Sequence, residues 1–265
     1  MIAAVGLAAC AAPAAADAAP AAPAAVEPVR QDELVPGPTF RVAYVARVVR
    51  RTFTKDRPWG RKRRELGVRA PWGGGSNQLL VLDSLQVVRS PEHPETQRLW
   101  LKVALPRRPN GTTGWVPADH MQVSSTRWRI NISTEKKLVQ VFHDGRLRQT
   151  FRAIVGARGT PTPHGLFAIN EAIRQPNPRA FLGPWALHLT AFSNVLDDYG
   201  GGPGRVAIHG RGGASLRDPL GSARSHGCVR IENRRVRFLA RVAQAGTPVR
   251  ITSDPLRVGR DGRAG

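Results

Sequence analysis

Hydrophobic residues between positions 40 and 123 fall into short runs, a pattern typical of β-strands rather than of helices. The runs that predict strands are Arg41–Val49, Leu79–Leu82 and Leu99–Ala104. The basic segment 57–64 and the glycine-rich segment 71–75 lie between these runs and are predicted to be loops. This part of the chain is therefore expected to form a small β domain.

A second region begins at residue 128 and shows the same period of two, as expected for half-buried strands. Asp144-Gly145 is a strong hairpin signal between two of its apolar runs, so the region is expected to start as an antiparallel meander. Its predicted strands are 128–132, 138–142, 147–155, 165–170, 185–190, 206–209 and 248–252.

One segment near the C-terminal end has the helical period instead. Val236, Leu239 and Ala243 fall on one face together with Ala240, and the arginines between them are predicted to face solvent. Asn233 is the predicted N-cap, and Gly246 is predicted to end the helix.

Composition divides the chain into four parts. Residues 1–39 are rich in alanine and proline and cannot bury a core, so they are expected to be a disordered linker behind an export signal. The predicted domains are 40–124 and 126–252, and residues 253–265 are predicted to be a disordered tail.

The 265-residue chain has a formal net charge of +21, mainly from arginine, and a pI near 11.7. Such a charge attracts nucleic acid, anionic lipid or anionic wall polymers. No nucleic-acid-binding motif accompanies it and the basic residues are spread along the sequence, so nucleic acid is not an expected partner. Two interpretations stay open: binding of anionic cell-wall polymers, and a solvated arginine-rich surface without a partner.

The first of the two cysteines lies in Leu7-Ala8-Ala9-Cys10, which matches the bacterial lipoprotein processing box, where the cysteine is acylated. Residues 1–9 contain no Lys or Arg, so the expectation is a true start further upstream; the alternative is an accidental match. No stretch approaches the roughly 20 apolar residues of a membrane span. The expected location is the cell envelope outside the cytoplasm, with the membrane reached through lipid on Cys10 or a missing N-terminal anchor.

Candidate chemistry is concentrated in Ser225-His226-Gly227-Cys228-Val229-Arg230 and in the upstream pair His209-Gly210. A cysteine attacks as the thiolate, and a nearby imidazole or backbone N–H groups lower its pKa. Two histidines and two glycines accompany Cys228, which favours a reactive thiol over an inert buried one. A disulfide with Cys10 is not expected, because it would consume the nucleophile.

This arrangement of His209-Gly210, a glycine-rich polar loop and Ser225–Cys228 resembles the catalytic motif of the L,D-transpeptidases, which cross-link peptidoglycan. The similarity extends from about Arg127 to Thr252. His164 and His188 stand at positions that are small or variable in such sequences, in segments expected to border the cleft. Weaker parts of the resemblance are Gly156, Thr160–Phe167, Gly183–Leu187 and Gly246–Val249.

Residues 100–117, with Asn110-Gly111 at a predicted turn, resemble the last hairpin of a bacterial SH3-like barrel. Together the two resemblances imply a mainly β fold. A small N-terminal SH3-like β-barrel would precede a β-rich L,D-transpeptidase catalytic domain with one main C-terminal helix. The barrel is expected either to bind or position the wall or to serve as a scaffold that packs on the enzyme.

The resemblance also implies a reaction on peptidoglycan stem peptides. Cys228 would attack the carbonyl of the third stem residue, release the terminal D-alanine and form a thioester, which an amine of a neighbouring stem then resolves. His209 would accept and donate the proton, and the backbone carbonyl of Gly210 would orient its ring. The backbone N–H groups of Gly227 and Cys228 are the expected oxyanion donors.

Three other residues of the motif have alternative roles. Ser225 and His226 are expected to shape the loop and bind substrate, with His226 as the base a less favoured alternative, since it lies only two residues from the sulfur. Arg230 is expected either to hold the loop or to pair with a substrate carboxylate. No cofactor and no metal are expected, because a zinc site at His209, His226 and Cys228 would lack the usual paired ligand spacing.

Other functions remain as alternatives. Water in place of the amine would make the protein an L,D-carboxypeptidase that trims stems. A wall-binding lipoprotein without catalysis is the alternative from a different class. Papain-like wall peptidases place the cysteine before the histidine, and sortases have a longer interval between them, so both fit this order less well.

Overall fold

The computed structural model describes residues 33–198 and 201–259 of the chain. Within them, seven strands build a first sheet, and an eight-stranded sheet and a two-stranded pair follow. The change between the two large sheets falls at Arg127. Cys10, the linker up to residue 32 and the tail from residue 260 lie outside the described residues.

The first sheet is antiparallel throughout. Its strands are β1 Ala43–Val48, β2 Thr52–Lys55, β3 Lys62–Leu66, β4 Gln78–Val87, β5 Arg98–Ala104, β6 Thr113–Pro117 and β7 Met121–Thr126, in the spatial order β3-β2-β6-β5-β4-β1-β7. The prediction of a loop over 57–64 is wrong for its last three residues, which belong to β3. The charged side chains of β3 face solvent on an edge strand, where an alternating apolar pattern is not needed. Alternate residues such as Val81, Leu101 and Val116 fill a core of their own.

Residues before position 40 already contribute to the first sheet's core. Val35 is only 2% exposed, and its backbone N–H donates to Ser84 Oγ at 2.7 Å. The predicted disordered linker therefore does not extend to residue 39, because Val35 contributes to the core of the first domain.

The second sheet contains the predicted meander and adds two parallel pairs. Its strands are β8 Trp128–Ser133, β9 Leu138–His143, β10 Arg146–Arg152, β12 Gly165–Arg174, β13 Trp185–Phe192, β14 Arg205–His209, β16 Val229–Arg230 and β17 Pro248–Thr252, in the order β10-β9-β8-β17-β12-β13-β14-β16. β17 runs parallel to β8, and β16 runs parallel to β14. The predicted turn at Asp144-Gly145 has both residues at positive φ, 53° and 74°, as a tight hairpin turn requires. The separate pair is β11 Val155–Gly156 and β15 Ala223–Ser225.

The single α-helix of the described residues is α1, Asn233–Val242. Val236 and Leu239 are buried on the predicted face against the core of the second sheet. Asn233 is not the N-cap: Glu232 holds that position, and the Asn233 side chain instead bonds the backbone N–H and carbonyl of Arg211 at 2.7 and 2.9 Å. Gly246 lies beyond the helix end, at a φ of +88°.

The two domains pack directly on each other. Ala43 and Leu80 of the first domain share a buried cluster with Ala168 of the second. The predicted β5–β6 hairpin extends this junction, because the Asn110 side chain accepts from Phe192 N and donates to Phe192 O, both at 2.8 Å. The connection of this hairpin, 105–112, is longer than a tight turn, and its tip reaches across to the second domain.

Residues that follow β17 pack against strand β9. Gln140 exchanges two hydrogen bonds with the backbone of Leu256, at 2.9 and 3.1 Å, so the predicted disordered tail does not begin at residue 253. None of the helices among the described residues has the length and apolar character needed to cross a membrane.

Candidate active site

The second sheet has one face toward its core and one face toward the predicted catalytic residues. Leu187, Leu189, Val206, Ile208 and Val229 belong to the core. Because successive side chains of a strand point to opposite faces, the residues between them lie on the other side. This catalytic face is the surface of β12, β13, β14 and β16 that carries His188, His209, Cys228 and Arg230.

Strand register places Cys228 beside His209. Ile208 lies opposite Val229 and His209 opposite Arg230 in the parallel pair β14–β16. One residue earlier in both strands, Ala207 faces Cys228, so the thiol and the imidazole are diagonal neighbours on adjacent strands. Such neighbours are about 7–8 Å apart at Cα, within reach of long side chains.

The thiol sits against the backbone of β14. Cys228 Sγ lies 3.8 Å from the carbonyl oxygen of Arg205, to which the S–H donates. Burial raises the pKa of the Cys228 thiol, while the backbone N–H of Ala207 and the charge of Arg230 act in the opposite direction. The thiol is therefore protonated at rest, and a base must remove its proton during attack.

The ring of His209 is held by a backbone carbonyl. It is 1% exposed, and its Nδ1 lies 2.7 Å from the carbonyl oxygen of Gly210. A carbonyl can only accept, so Nδ1 carries the hydrogen and Nε2 is the ring nitrogen with the lone pair. Burial lowers the pKa of His209 to about 4, and Arg230 adds to the effect, so the ring is neutral and able to accept a proton at neutral pH.

The motif loop is held by side-chain hydrogen bonds from two segments. Ser225, 1% exposed, donates through Oγ to the carbonyl of Cys228 at 2.5 Å. Thr160 and Thr162 donate to the carbonyls of Ser225 and Gly227 at 3.0 and 2.9 Å. Ser225 thus shapes the loop, and the segment after residue 156 braces it.

The structure differs from the expectation for the oxyanion donors. The backbone N–H of Gly227 donates to Ser225 Oγ at 3.1 Å and is therefore engaged inside the loop. Gly227 has a φ of +113°, which explains the need for glycine at this position. Of the two predicted oxyanion donors, the backbone N–H of Cys228 does not take part in the hydrogen bond to Ser225 Oγ.

Arg230 is tied to the surrounding loops. It is 4% exposed, its Nη1 lies 2.6 Å from Asp218 Oδ2, and its guanidinium lies over the ring of Phe181 at 4.7 Å. Phe181 also contacts the His209 ring, with centroids 6.0 Å apart. These contacts tie Arg230 to the loops that carry Asp218 and Phe181. His226, by contrast, is exposed at the surface.

Sequence reasoning missed Asp218, Phe181 and Arg205 near the catalytic pair. Nothing in the local pattern marks Asp218 or Phe181, because they reach the site through loops. Arg205 had a signal: it precedes His209 by four residues in a strand, which puts both on the same face. Among the described residues, no group of three or more His, Cys, Asp or Glu side chains is placed to hold a metal ion.

Known proteins match the same part of the chain. Residues 127–251 match the family model of the L,D-transpeptidase catalytic domain, YkuD. The YkuD protein of Bacillus licheniformis, named as an L,D-transpeptidase, is 35% identical over 125 residues. This alignment covers 47% of the chain and 66% of that relative.

Two solved structures align with a similar share of this chain. The Bdellovibrio bacteriovorus protein Bd1075 is 25% identical, with 48% of each chain covered and a TM-score of 0.38. The catalytic domain of the E. faecium L,D-transpeptidase is 20% identical, with 47% of this chain and 96% of that one covered and a TM-score of 0.34.

Over residues 127–251 the chain is therefore similar to the L,D-transpeptidase catalytic domain family, the class of enzyme that its motif predicts.

Proposed function

We propose that the protein is a peptidoglycan L,D-transpeptidase in which Cys228 is the nucleophile and His209 the proton acceptor and donor. The observation that carries the proposal is the register of β14 and β16, which places the thiol and the imidazole side by side on one face of the sheet. The buried bond from His209 Nδ1 to Gly210 supports the assignment of Nε2 as the base.

The first step forms a thioester. The sulfur attacks the carbonyl of the third stem residue as His209 Nε2 takes the thiol proton. The resulting imidazolium then gives this proton to the amine of the departing D-alanine as the C–N bond breaks. Because burial disfavours the charged imidazole, the proton is held only briefly, which suits a group that must both accept and donate.

The tetrahedral intermediate carries a negative oxygen. We assign the backbone N–H of Cys228 as a donor to it, and the loop bonds of Ser225 and Thr162 as the reason that this N–H is held in place. In the second step an acceptor amine, such as the side chain of diaminopimelate in a neighbouring stem, attacks the thioester and regenerates the thiol.

The remaining proposals concern the whole protein. The first domain, an antiparallel sheet around its own core, is proposed to be an SH3-like module that positions the enzyme on the wall. The net charge of +21 supports contact with anionic wall polymers. The Leu7–Cys10 box supports lipid attachment at Cys10 and a location in the cell envelope, outside the cytoplasm.

An intact-mass experiment with a donor tetrapeptide and with meropenem tests the reaction. The wild-type protein is expected to gain an acyl adduct, Cys228→Ala to gain none, and His209→Ala to acylate at least about a hundredfold more slowly. His93→Ala, at an exposed histidine of the first domain, is the matched control and should acylate normally. An unmodified wild-type mass, or an adduct that persists in Cys228→Ala, would disprove the assignment.

The products distinguish the alternatives. Cross-linked dimers in the presence of an acceptor stem identify transpeptidation, whereas tripeptide alone identifies the L,D-carboxypeptidase. A non-catalytic wall-binding protein would yield neither.

A further inference from the structure

The catalytic face carries a second polar group besides the Cys228–His209 pair. Glu171 lies opposite His188 in the pair β12–β13, and His188 lies opposite Ala207 in the pair β13–β14. Ala207 in turn faces Cys228. Glu171, His188, Ala207 and Cys228 therefore lie side by side on four neighbouring strands, with Ala207 between His188 and Cys228. Arg205 lies on the same face of β14, and its carbonyl oxygen is the group that the thiol contacts.

Arg205 lacks partners for one edge of its guanidinium group. Its Nε and Nη2 are buried and have no hydrogen-bond partner among the described residues. Nε and Nη2 form the fork that binds a carboxylate in a bidentate manner. The same chain shows this fork in use at Arg98, whose Nε and Nη2 donate to the two carboxylate oxygens of Asp119 at 2.8 and 2.6 Å.

The nearest acidic side chain does not supply that partner. The Glu171 carboxylate accepts from the backbone N–H groups of Trp72 and Gly73 and from the side chain of Asn170. Burial lowers the pKa of Arg205 to about 10, although the negative charge of Glu171 opposes the effect. A buried cation without an acceptor is costly, so the fork favours a bound anion.

His188 adds a second unpartnered group beside the fork. Its Nδ1 is buried and has no hydrogen-bond partner among the described residues. Burial lowers the pKa of His188 to about 3, and Arg205 and His209 add to this effect. The ring is therefore neutral at pH 7 and can donate one hydrogen bond without adding charge.

A loop of the first domain covers the side chain of Arg205. The Trp72 loop, residues 71–75, places the Trp72 ring 3.7 Å from the Arg205 guanidinium, a stacked cation–π contact. Stacking holds the plane of the guanidinium and leaves its edge available for hydrogen bonds. The Trp72 side chain is 43% exposed, so the covering loop lies at the surface of the protein, and the backbone N–H groups of Trp72 and Gly73 attach it to Glu171.

We propose that Arg205 and His188 form a carboxylate-binding subsite beside Cys228 that holds the terminal carboxylate of the donor stem peptide. The proposal rests on the transpeptidase function proposed above. The departing D-alanine carries that carboxylate one residue from the attacked carbonyl, and consecutive Cα atoms lie only about 3.8 Å apart. Arg205 is then a specificity-determining residue, and Trp72 is a positioning residue supplied by the first domain.

The test compares two donor tetrapeptides that differ only at the terminus, one a free carboxylate and the other a carboxamide. The rate of acyl-enzyme formation is measured by intact mass without any acceptor. The wild-type protein is expected to prefer the carboxylate by about ten- to a hundredfold, as for a hydrogen-bonded charge pair. Arg205→Gln should lose most of this preference, and Arg205→Lys, which keeps the charge without the fork, should retain part of it.

Two further variants sharpen the comparison. Trp72→Ala should reduce the preference for the carboxylate peptide, because the guanidinium of Arg205 loses the ring that holds its plane. Arg146→Gln, at an exposed position on the far edge strand β10, is the matched control and should behave as the wild type.

The outcomes separate this proposal from the one on which it rests. If neither peptide forms an adduct, the proposed function fails. If the wild-type protein accepts both peptides at equal rates, or if folded Arg205→Gln keeps the full preference, the subsite is disproved while the function stands. The wild-type comparison decides the matter even if Arg205→Gln does not fold.

Discussion

His209 shows how burial converts an ordinary side chain into a suitable proton acceptor. Exposed imidazole has a pKa near 6.5, and burial lowers the pKa of His209 to about 4. Its neutral form is thus dominant at neutral pH, and the Gly210 carbonyl selects the tautomer. The same desolvation makes His209 and His188 a source of pH-dependent stability.

We expect the free energy of unfolding to fall as the pH is lowered from 7 to 5. Both histidines take up protons near pH 6.5 when unfolded but stay neutral when folded, so acid favours the unfolded chain. The loss should be about 2 kcal/mol for His209 over this range, measured by urea unfolding at each pH. His209→Gln should reduce the loss by the share of His209 and keep the share of His188, and equal losses in the two proteins would contradict this explanation.

At the scale of elements, helix α1 reaches back to the catalytic strand through Asn233. Its side chain bonds both backbone groups of Arg211, two residues after His209. The Asn233 Oδ1 also lies where a side chain at Gly210 would have to go. The helix therefore fixes the turn whose carbonyl orients the catalytic ring.

Asn233→Ala should lower stability by about 1–3 kcal/mol, because it leaves the Arg211 N–H without its partner. It should also slow acylation, because the Gly210 carbonyl loses support. Chemical unfolding and intact-mass kinetics measure the two effects. Arg234→Ala, an exposed neighbour on the same helix, serves as the control. Reduced stability with an unchanged acylation rate would show that Asn233 does not position His209.

At the scale of the whole molecule, the two domains are joined by close packing. Gly246 follows helix α1 with a φ of +88°, and a Cβ at this position would collide with Val45 of the first domain. Val45 is itself 4% exposed. The junction is therefore a tight contact between the catalytic domain and strand β1.

A double-mutant cycle tests this contact. Gly246→Ala should destabilise the protein through both backbone strain and the collision, and Val45→Ala should relieve the second part. The double variant is expected to be more stable than the sum predicts, by at least about 0.5 kcal/mol in urea unfolding. Gly111→Ala, which has a φ of +81° but open space around it, should combine additively with Val45→Ala. Additivity at Gly246 as well would contradict a tight junction.

Local sequence patterns determined much of the second domain. Alternation at Trp128, Ile130 and Ile132 predicts strand β8, and Asp144-Gly145 predicts the hairpin after β9, because both features depend on neighbouring residues alone. Cys228 and His209 were recognisable because the segments that contain them resemble the catalytic motif of a known family. The edge strand β3 escaped prediction because its charged residues lack an apolar period.

Tertiary structure decided how these pieces meet. The parallel pairing of β14 with β16 joins residues about 20 positions apart, and no local pattern encodes that register. It alone makes Cys228 a neighbour of His209. The same holds for the Gly227 N–H, which folds onto Ser225 Oγ, and for Arg205, which meets Trp72 of the other domain. Each of these contacts depends on long-range hydrogen bonds and packing, which form only when the whole chain is folded.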